Sequence, residues 1–371
     1  DTTSHRKTRK IMTLGVGFSF KIITNSLKVN ILLKRNASNT KWNVLFFGTD
    51  NFSLSSLKAL KCEQSKGNID TLEVVSNTTG RTNAIMKYAK QEDLTVHGWP
   101  LQTPTGGSFH LGIVVSFGHL IPERLIKSFP LGILNVHGSL LPRWRGAAPV
   151  VHTLLNGDTK SGVTVMRIAP KRFDVGDIVA QKEMEFSSDI LQPELHQRLG
   201  DLGAEALVEC LHCLPDCLDK AKPQDNQCAS NAPKVTPALS NINWRESSTV
   251  QIYNLSRALY GMQPLLTKFN DLTIKLFKMN LWNEQEVEML PPGCFRYVKE
   301  KQVIRVWCKD GKSVYFDMVG ITGKKNMSAT DFRNGFMKHT PEDKLFFSNI
   351  MFSSHSRVDS LFFDHMCVFH N

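Results

Sequence analysis

The sequence predicts an α/β domain whose sheet is covered on both faces, followed by a small β-barrel. Up to about residue 214, apolar runs of strand length such as LGIVV and LGILNV alternate with amphipathic stretches, the pattern of a sheet buried between helices. The run DKAKPQDNQCASNAPKVTPALS then breaks all periodicity and reads as a linker. Beyond it, short β-rich pieces separated by Gly, Pro and Asp suggest the barrel. A chain of 371 residues is long enough to give each domain its own core.

Val44 to Phe47 is a short strand ended by Gly48, and Phe52, Leu54, Leu57 and Leu60 recur at near-helical spacing after it. TLEVVSN is a second strand, and AIMKYAKQEDLTV is a helix leading to a third. LGIVVSFG and LGILNVHG are apolar on both faces, so both are buried strands, with PERLIKSF as a helix between them. A helix from Pro149 to Leu155 precedes the strands GVTVMRIA and DIVAQKEMEF and the long amphipathic helix PELHQRLGDLGAEALVECLHCL. In the second domain, STVQIYNLSRAL is a helix, and LTIKLFKMN, GCFRYVK and QVIRVWCKDGKSVYFDMV supply strands. Lys309-Asp310-Gly311 marks a hairpin.

The net charge of +11 is unevenly spread. Residues 1–41 carry +8, residues 42–170 +4, residues 171–290 −5, residues 291–340 +6 and residues 341–371 −2. The leader, rich in Lys, Arg, Ser and Thr and nearly free of acids, has the composition of an organellar presequence. Its apolar segments are interrupted by Lys21 and Lys28, so none reaches the roughly 20 residues of a membrane span. The stretch 291–340 is the part of the body suited to a polyanion. The eight cysteines are scattered, as in a reducing compartment. Cys210, Cys213 and Cys217 are read as one apolar helix face rather than as metal ligands, and no metal is expected.

In open α/β sheets, ligands bind beyond the carboxyl ends of the strands, where Gly48, Phe117-Gly118 and Asn135-Val-His137 all fall. Residues two apart on a strand share a face, so Asn135 and His137 project together. An amide with fixed donors beside an imidazole that exchanges a proton near neutral pH suits a carbonyl oxygen that becomes negative under attack. Arg143 and Arg145 flank them with positive charge, and the loop PKRFDVGDIVAQ offers Asp174 and Asp177, of which Asp174 is the candidate to set the state of the imidazole.

The segments FFGTDNFSLSSLKAL, VVSFGHLIPERLI, GILNVHGSLLPRWRGAAPV, GDTKSGVTVMRIAPKRFDVGDIVAQ, NAPKVT, INW and MSATDFRNGF occur in an order that resembles the methionyl-tRNA formyltransferases, the mitochondrial branch above all, from about Trp42 to about Met337. The resemblance implies a Rossmann-like formyltransferase domain (42–220), a linker (221–240) and an OB-like, tRNA-binding barrel (241–340), after a mitochondrial leader (1–41) and before an unassigned tail (341–371). It implies transfer of a formyl group from 10-formyltetrahydrofolate, a co-substrate and not a resident cofactor, to charged initiator methionyl-tRNA by a monomer in the mitochondrial matrix. Asn135, His137 and Asp174 correspond to the family's catalytic residues. Phe117, Gly118, Ser139, Leu140, Leu141 and Pro142 are expected to line the folate site. Arg81, Arg143, Arg145, Arg305, Lys324 and Lys325 are the candidates for contact with tRNA. The family's longer basic loop after the second strand is reduced here to SNTTGRTNA, leaving Arg81. Two other readings compete: a formyltransferase for another amine, such as an amino sugar nucleotide, and a non-catalytic RNA-binding relative.

Overall fold

The computed structural model of the chain describes residues 41–78, 82–101, 108–284 and 288–350, and these fall into two units that divide between Val235 and Thr236. The leader up to residue 40, Arg81 and the tail beyond residue 350 lie outside the described residues.

Unit 1 runs β1 (Trp42–Gly48), α1 (Asn51–Ser65), β2 (Ile69–Ser76), α2 (Ala84–Gln91), β3 (Val96–Gly98), β4 (Leu111–Val115), α3 (Glu123–Ile126), β5 (Ile133–His137), α4 (Pro149–Leu155), β6 (Lys160–Arg167), β7 (Ile178–Glu185), α5 (Gln192–His212) and α6 (Asp216–Asp219). The strands form one sheet in the order β3-β2-β1-β4-β5-β6-β7. The first five in chain order are parallel, whereas β6 and β7 add antiparallel at one edge. β1 and β4 are buried along nearly their whole length, which is why their sequences are unbroken apolar runs. α1 starts at a capping box in which Asp50 and Ser53 satisfy each other's backbone N–H groups. Its Phe52, Leu57 and Leu60 turn inward, and α5 packs against it.

Because these five strands are parallel, the ends of β1, β2, β4 and β5 gather along one edge. Hydroxyls sew that edge together: Ser76 donates to Gly48 O at 2.8 Å, Thr49 to Ser116 O at 2.8 Å, and Ser116 to the Asp50 carboxylate at 2.5 Å.

The long helix stops at His212, before Pro215, so the expected single face of three cysteines is not formed. Cys210 is buried, Cys213 is exposed, and Cys217 sits on α6, because a proline cannot continue the helix at that point. His212 is bound elsewhere, its Nε2 lying 2.6 Å from the Glu63 carboxylate of α1.

Unit 2 runs α7 (Thr249–Ala258), β8 (Leu265–Phe269), β9 (Leu272–Leu281), β10 (Phe295–Val298), β11 (Val303–Trp307), β12 (Ser313–Ile321), β13 (Met327–Ser328) and α8 (Ala329–Phe332). The sheet is antiparallel in the order β10-β11-β12-β9-β8, with β13 beside β12. The turn at Lys309-Asp310-Gly311 joins β11 to β12, with Gly311 at φ +71° where a side chain would be strained. The first residues of the tail have a definite place. Phe346 pairs with Cys294 at the β10 edge, and Ser348 pairs with Lys268 on β8, so this short piece links the two outer strands of the sheet. Between them Phe347 is fully buried, stacked on Phe295 with ring centroids 4.1 Å apart.

Candidate active site

β5 carries Asn135 and His137 to the gathered strand ends, Asn135 half-buried and His137 buried. On the neighbouring β6, Met166 stands opposite Asn135 and Thr164 opposite His137. His137 Nε2 lies 2.9 Å from the carbonyl of Trp144. A carbonyl only accepts, so Nε2 holds a proton. Nδ1 faces Asp174 Oδ1 at 3.6 Å, and the other oxygen of Asp174 accepts the Gly146 N–H at 3.0 Å. Residues 37 positions apart in the chain are thereby set edge to edge. The Asn135 side-chain amide forms no hydrogen bond among the described residues.

The turn after β5 is held from below by two polar side chains of the antiparallel edge. Thr164 Oγ1 donates to Ser139 O at 2.7 Å and accepts Leu141 N–H at 3.0 Å. Gln181 donates to Leu141 O at 2.8 Å and to Thr164 Oγ1 at 3.0 Å. The Ser139 hydroxyl closes the turn on Arg143 O at 2.6 Å. Leu141 is buried, and Leu140 and Pro142 are half-buried. The polar groups of Ser139 and Leu141 are therefore committed to the turn itself, and these two residues can shape a wall without offering those groups to a ligand. Across the edge, Phe117 is buried in a ring cluster with Phe47, Trp99 and His119. Gly118 is exposed at φ +73°, with open space where a side chain would stand, so its backbone is approachable.

The arginines expected to meet a polyanion are mostly engaged within the protein. Arg143 is exposed but pairs with Asp158 at 2.9 Å and lies over the Trp144 ring, whose Nε1 donates to the same carboxylate. Arg145 is half-buried and donates to Gln224 and Asn226. Arg305 is only 8 % exposed; it donates to Ser313 Oγ at 2.7 Å and lies between the Trp282 and Trp307 rings at 4.4 and 4.5 Å. A guanidinium held this way braces the barrel, and most of its charge is engaged within the protein. Lys324 and Lys325 do stand exposed, on the turn between β12 and β13.

Sequence reasoning missed the second ring of support around His137. The segment expected as a linker crosses the active-site turn: Arg145 N–H donates to Ser230 O at 2.8 Å, Ala232 N–H to Arg145 O at 2.6 Å, and Trp144 N–H to Ser230 Oγ at 3.0 Å. Gly146, at φ +129°, is required here because a Cβ would stand 2.5 Å from Ala232 O. His152 of α4 reaches the same strap through Pro233 O, and burial pushes its pKa below the usual imidazole value. Isolated polar residues in an aperiodic run, such as Gln224 and Ser230, were the only trace of this strap in the sequence.

Residues 108–211 match the Formyl transferase family, and residues 234–337 match the Formyl transferase, C-terminal domain. The mitochondrial methionyl-tRNA formyltransferase of Homo sapiens is 41% identical over 308 residues, covering 80% of this chain and 78% of that protein. The methionyl-tRNA formyltransferase of Fusobacterium nucleatum subsp. nucleatum is 29% identical over 309 residues, covering 80% and 97%. Among solved structures, the N-formyltransferase from Helicobacter canadensis, in complex with folinic acid and dTDP-3-aminofucose, superposes with a TM-score of 0.57 at 18% identity. It covers 74% of this chain and 98% of that one, a likeness of fold.

Proposed function

This chain belongs to the methionyl-tRNA formyltransferase family, and from that premise we propose that it transfers the formyl group of 10-formyltetrahydrofolate to the α-amino group of methionyl-tRNA, with Asn135, His137 and Asp174 as catalytic residues. The carrying observation is the strand end itself: an amide without a partner among the described residues stands two residues before an imidazole whose ring edges meet Trp144 O and Asp174.

The free amine attacks the formyl carbon, a C–N bond forms, and the carbonyl electron pair moves to oxygen. The Asn135 amide and the His137 ring stabilise the charge on that oxygen. Asp174, 3.6 Å from Nδ1, orients the ring and assists removal of the proton that the attacking nitrogen loses. Collapse breaks the bond to the folate nitrogen, which regains a proton as it leaves. The folate lies against Ser139, Leu140, Leu141 and Pro142, with the backbone at Phe117-Gly118 offering bonds to the pteridine. Lys324 and Lys325 meet the tRNA backbone. The accepted substrate is charged initiator methionyl-tRNA, the enzyme acts as a monomer, and its place is the mitochondrial matrix, for the start of organellar translation.

His137→Asn and Asp174→Asn are each expected to lower kcat by about 100- to 10,000-fold, and Asn135→Ala by about 100-fold or more, with the fold intact by circular dichroism. The assay uses 10-formyltetrahydrofolate with charged methionyl-tRNA, beside uncharged tRNA, free methionine and an amino sugar nucleotide. Formylation of the sugar amine in preference to the tRNA would reverse the choice of acceptor, and full activity in any of the three variants would remove that residue from the chemistry.

A further inference from the structure

Gln224 lies between Pro223 and Asp225, outside every catalytic motif, yet its amide joins both loops that touch His137. Its Nε2 donates to Asp174 O at 3.0 Å and to Gly176 O at 2.8 Å, while its Oε1 accepts from Arg145 Nε at 2.9 Å and Nη2 at 2.7 Å. An amide offers two hydrogens and one oxygen with two lone pairs, and all four are used. The reversed amide would set oxygen against two carbonyls and nitrogen against a guanidinium, so its neighbours dictate the orientation.

Each arm ends on a residue that contacts the imidazole or adjoins one that does. Asp174 sits at φ +54°, in a region that non-glycine residues seldom enter, and the bond from Gln224 to its carbonyl holds it there. Gly176 admits no side chain, since a Cβ would stand 1.7 Å from Arg167 O. On the other arm, Arg145 separates Trp144, whose carbonyl meets Nε2 of His137, from Gly146, whose N–H holds the second oxygen of Asp174. One side chain thus ties the loop that carries the carboxylate to the turn that meets the ring.

We infer that Gln224 is a positioning residue for formyl transfer, clamping the Asp174 loop to the turn that carries Trp144 and Gly146; the inference rests on the catalytic reading above. A misplacement of the order of 1 Å costs up to about 100-fold in rate. Gln224→Met keeps the volume and breaks both arms. Gln224→Glu keeps the acceptor for Arg145 and turns an oxygen toward the Asp174 and Gly176 carbonyls, so it breaks one arm alone. Both are expected to lower kcat by about 10- to 100-fold, with KM for 10-formyltetrahydrofolate and for methionyl-tRNA within about twofold of wild type. Asn226→Ala, which removes only the second side-chain partner of Arg145, is expected to keep kcat. A loss under threefold in both Gln224 variants would overturn the assignment, as would a rise in the KM for methionyl-tRNA that accounts for the loss. A collapse of the thermal midpoint in both would make Gln224 a stability residue and overturn it as well. A wild-type chain that formylates no methionyl-tRNA would instead bring down the catalytic reading, and this inference with it.

Discussion

Glu63 is 1 % exposed, a position that an ionised carboxylate occupies only when its neighbours repay the lost water. Burial alone would raise its pKa, but the Lys66 ammonium at 2.7 Å, His212 and the Asn68 amide outweigh burial and hold it at about 2, against an ordinary value of 4.5. A carboxylate with a depressed folded pKa stabilises the fold fully above its unfolded value and loses that contribution as the pH falls toward the folded one. The shift corresponds to roughly 3 kcal/mol, present above about pH 4.5 and draining away toward pH 2. Urea titrations of wild type and Glu63→Gln are therefore expected to differ most near neutrality and to converge as the pH is lowered from 4.5 to 3. A gap that stays constant over that range would mean that Glu63 contributes nothing through its charge. At this scale the sequence was legible where a side chain's position follows from its own strand, as with Asn135 and His137. It was silent on Gln224 and on the aromatic sandwich around Arg305, since those partners are brought together only by the fold.

At the level of elements, hydrophobic runs located most strands of the α/β sheet, because a strand buried on both faces must be apolar throughout. They did not reveal direction: nothing in GVTVMRIA or DIVAQKEMEF distinguishes the antiparallel edge from another parallel pair. β8 also escaped, a five-residue strand following directly on Pro264. So did the segment at Phe346–Ser348, which is too short to show a period and lies beyond residue 337, where the C-terminal family match ends. Its partners on β10 and β8 give it the work of closing the barrel, since those strands would otherwise present unpaired backbone. Phe347 is the plug, packed on Phe295 and stacked with Trp244 at 6.1 Å. Phe347→Ala in the full chain is expected to destabilise unit 2 by about 3–5 kcal/mol. Denaturation followed by tryptophan fluorescence reads this directly, because Trp244 is fully buried beside it. A change below about 1 kcal/mol would show that the segment decorates the barrel and does not close it.

For the molecule as a whole, net charge is a poor guide until burial is known. Of the +11, the leader holds +8 and the stretch 291–340 holds +6, with acidic segments offsetting the rest. Within 291–340 several cations already have partners: Lys301 pairs with Glu284 at 2.5 Å, Lys309 with Glu246 at 3.5 Å, Arg333 lies over Tyr297, and Arg305 is enclosed by two indoles. Lys324 and Lys325 form no ion pair among the described residues and ride on an exposed turn, with Lys324 Nζ 5.0 Å from the Phe336 ring centroid. Charge that is free and exposed is what releases counterions from a nucleic acid, so the salt dependence of binding should follow exposed lysines such as these two and not the formal total. In the full chain, Lys324→Ala with Lys325→Ala is expected to reduce the slope of log K against log salt for methionyl-tRNA by about two, roughly one for each phosphate no longer neutralised. Arg305→Met is expected to leave that slope unchanged while lowering the thermal midpoint, because it empties an aromatic sandwich and takes the guanidinium donor away from the Ser313 hydroxyl. Binding measured at several salt concentrations separates the two kinds of cation. A slope that falls for Arg305→Met and holds for the lysine pair would move the tRNA interface off the β12–β13 turn and onto the face carrying the two tryptophans.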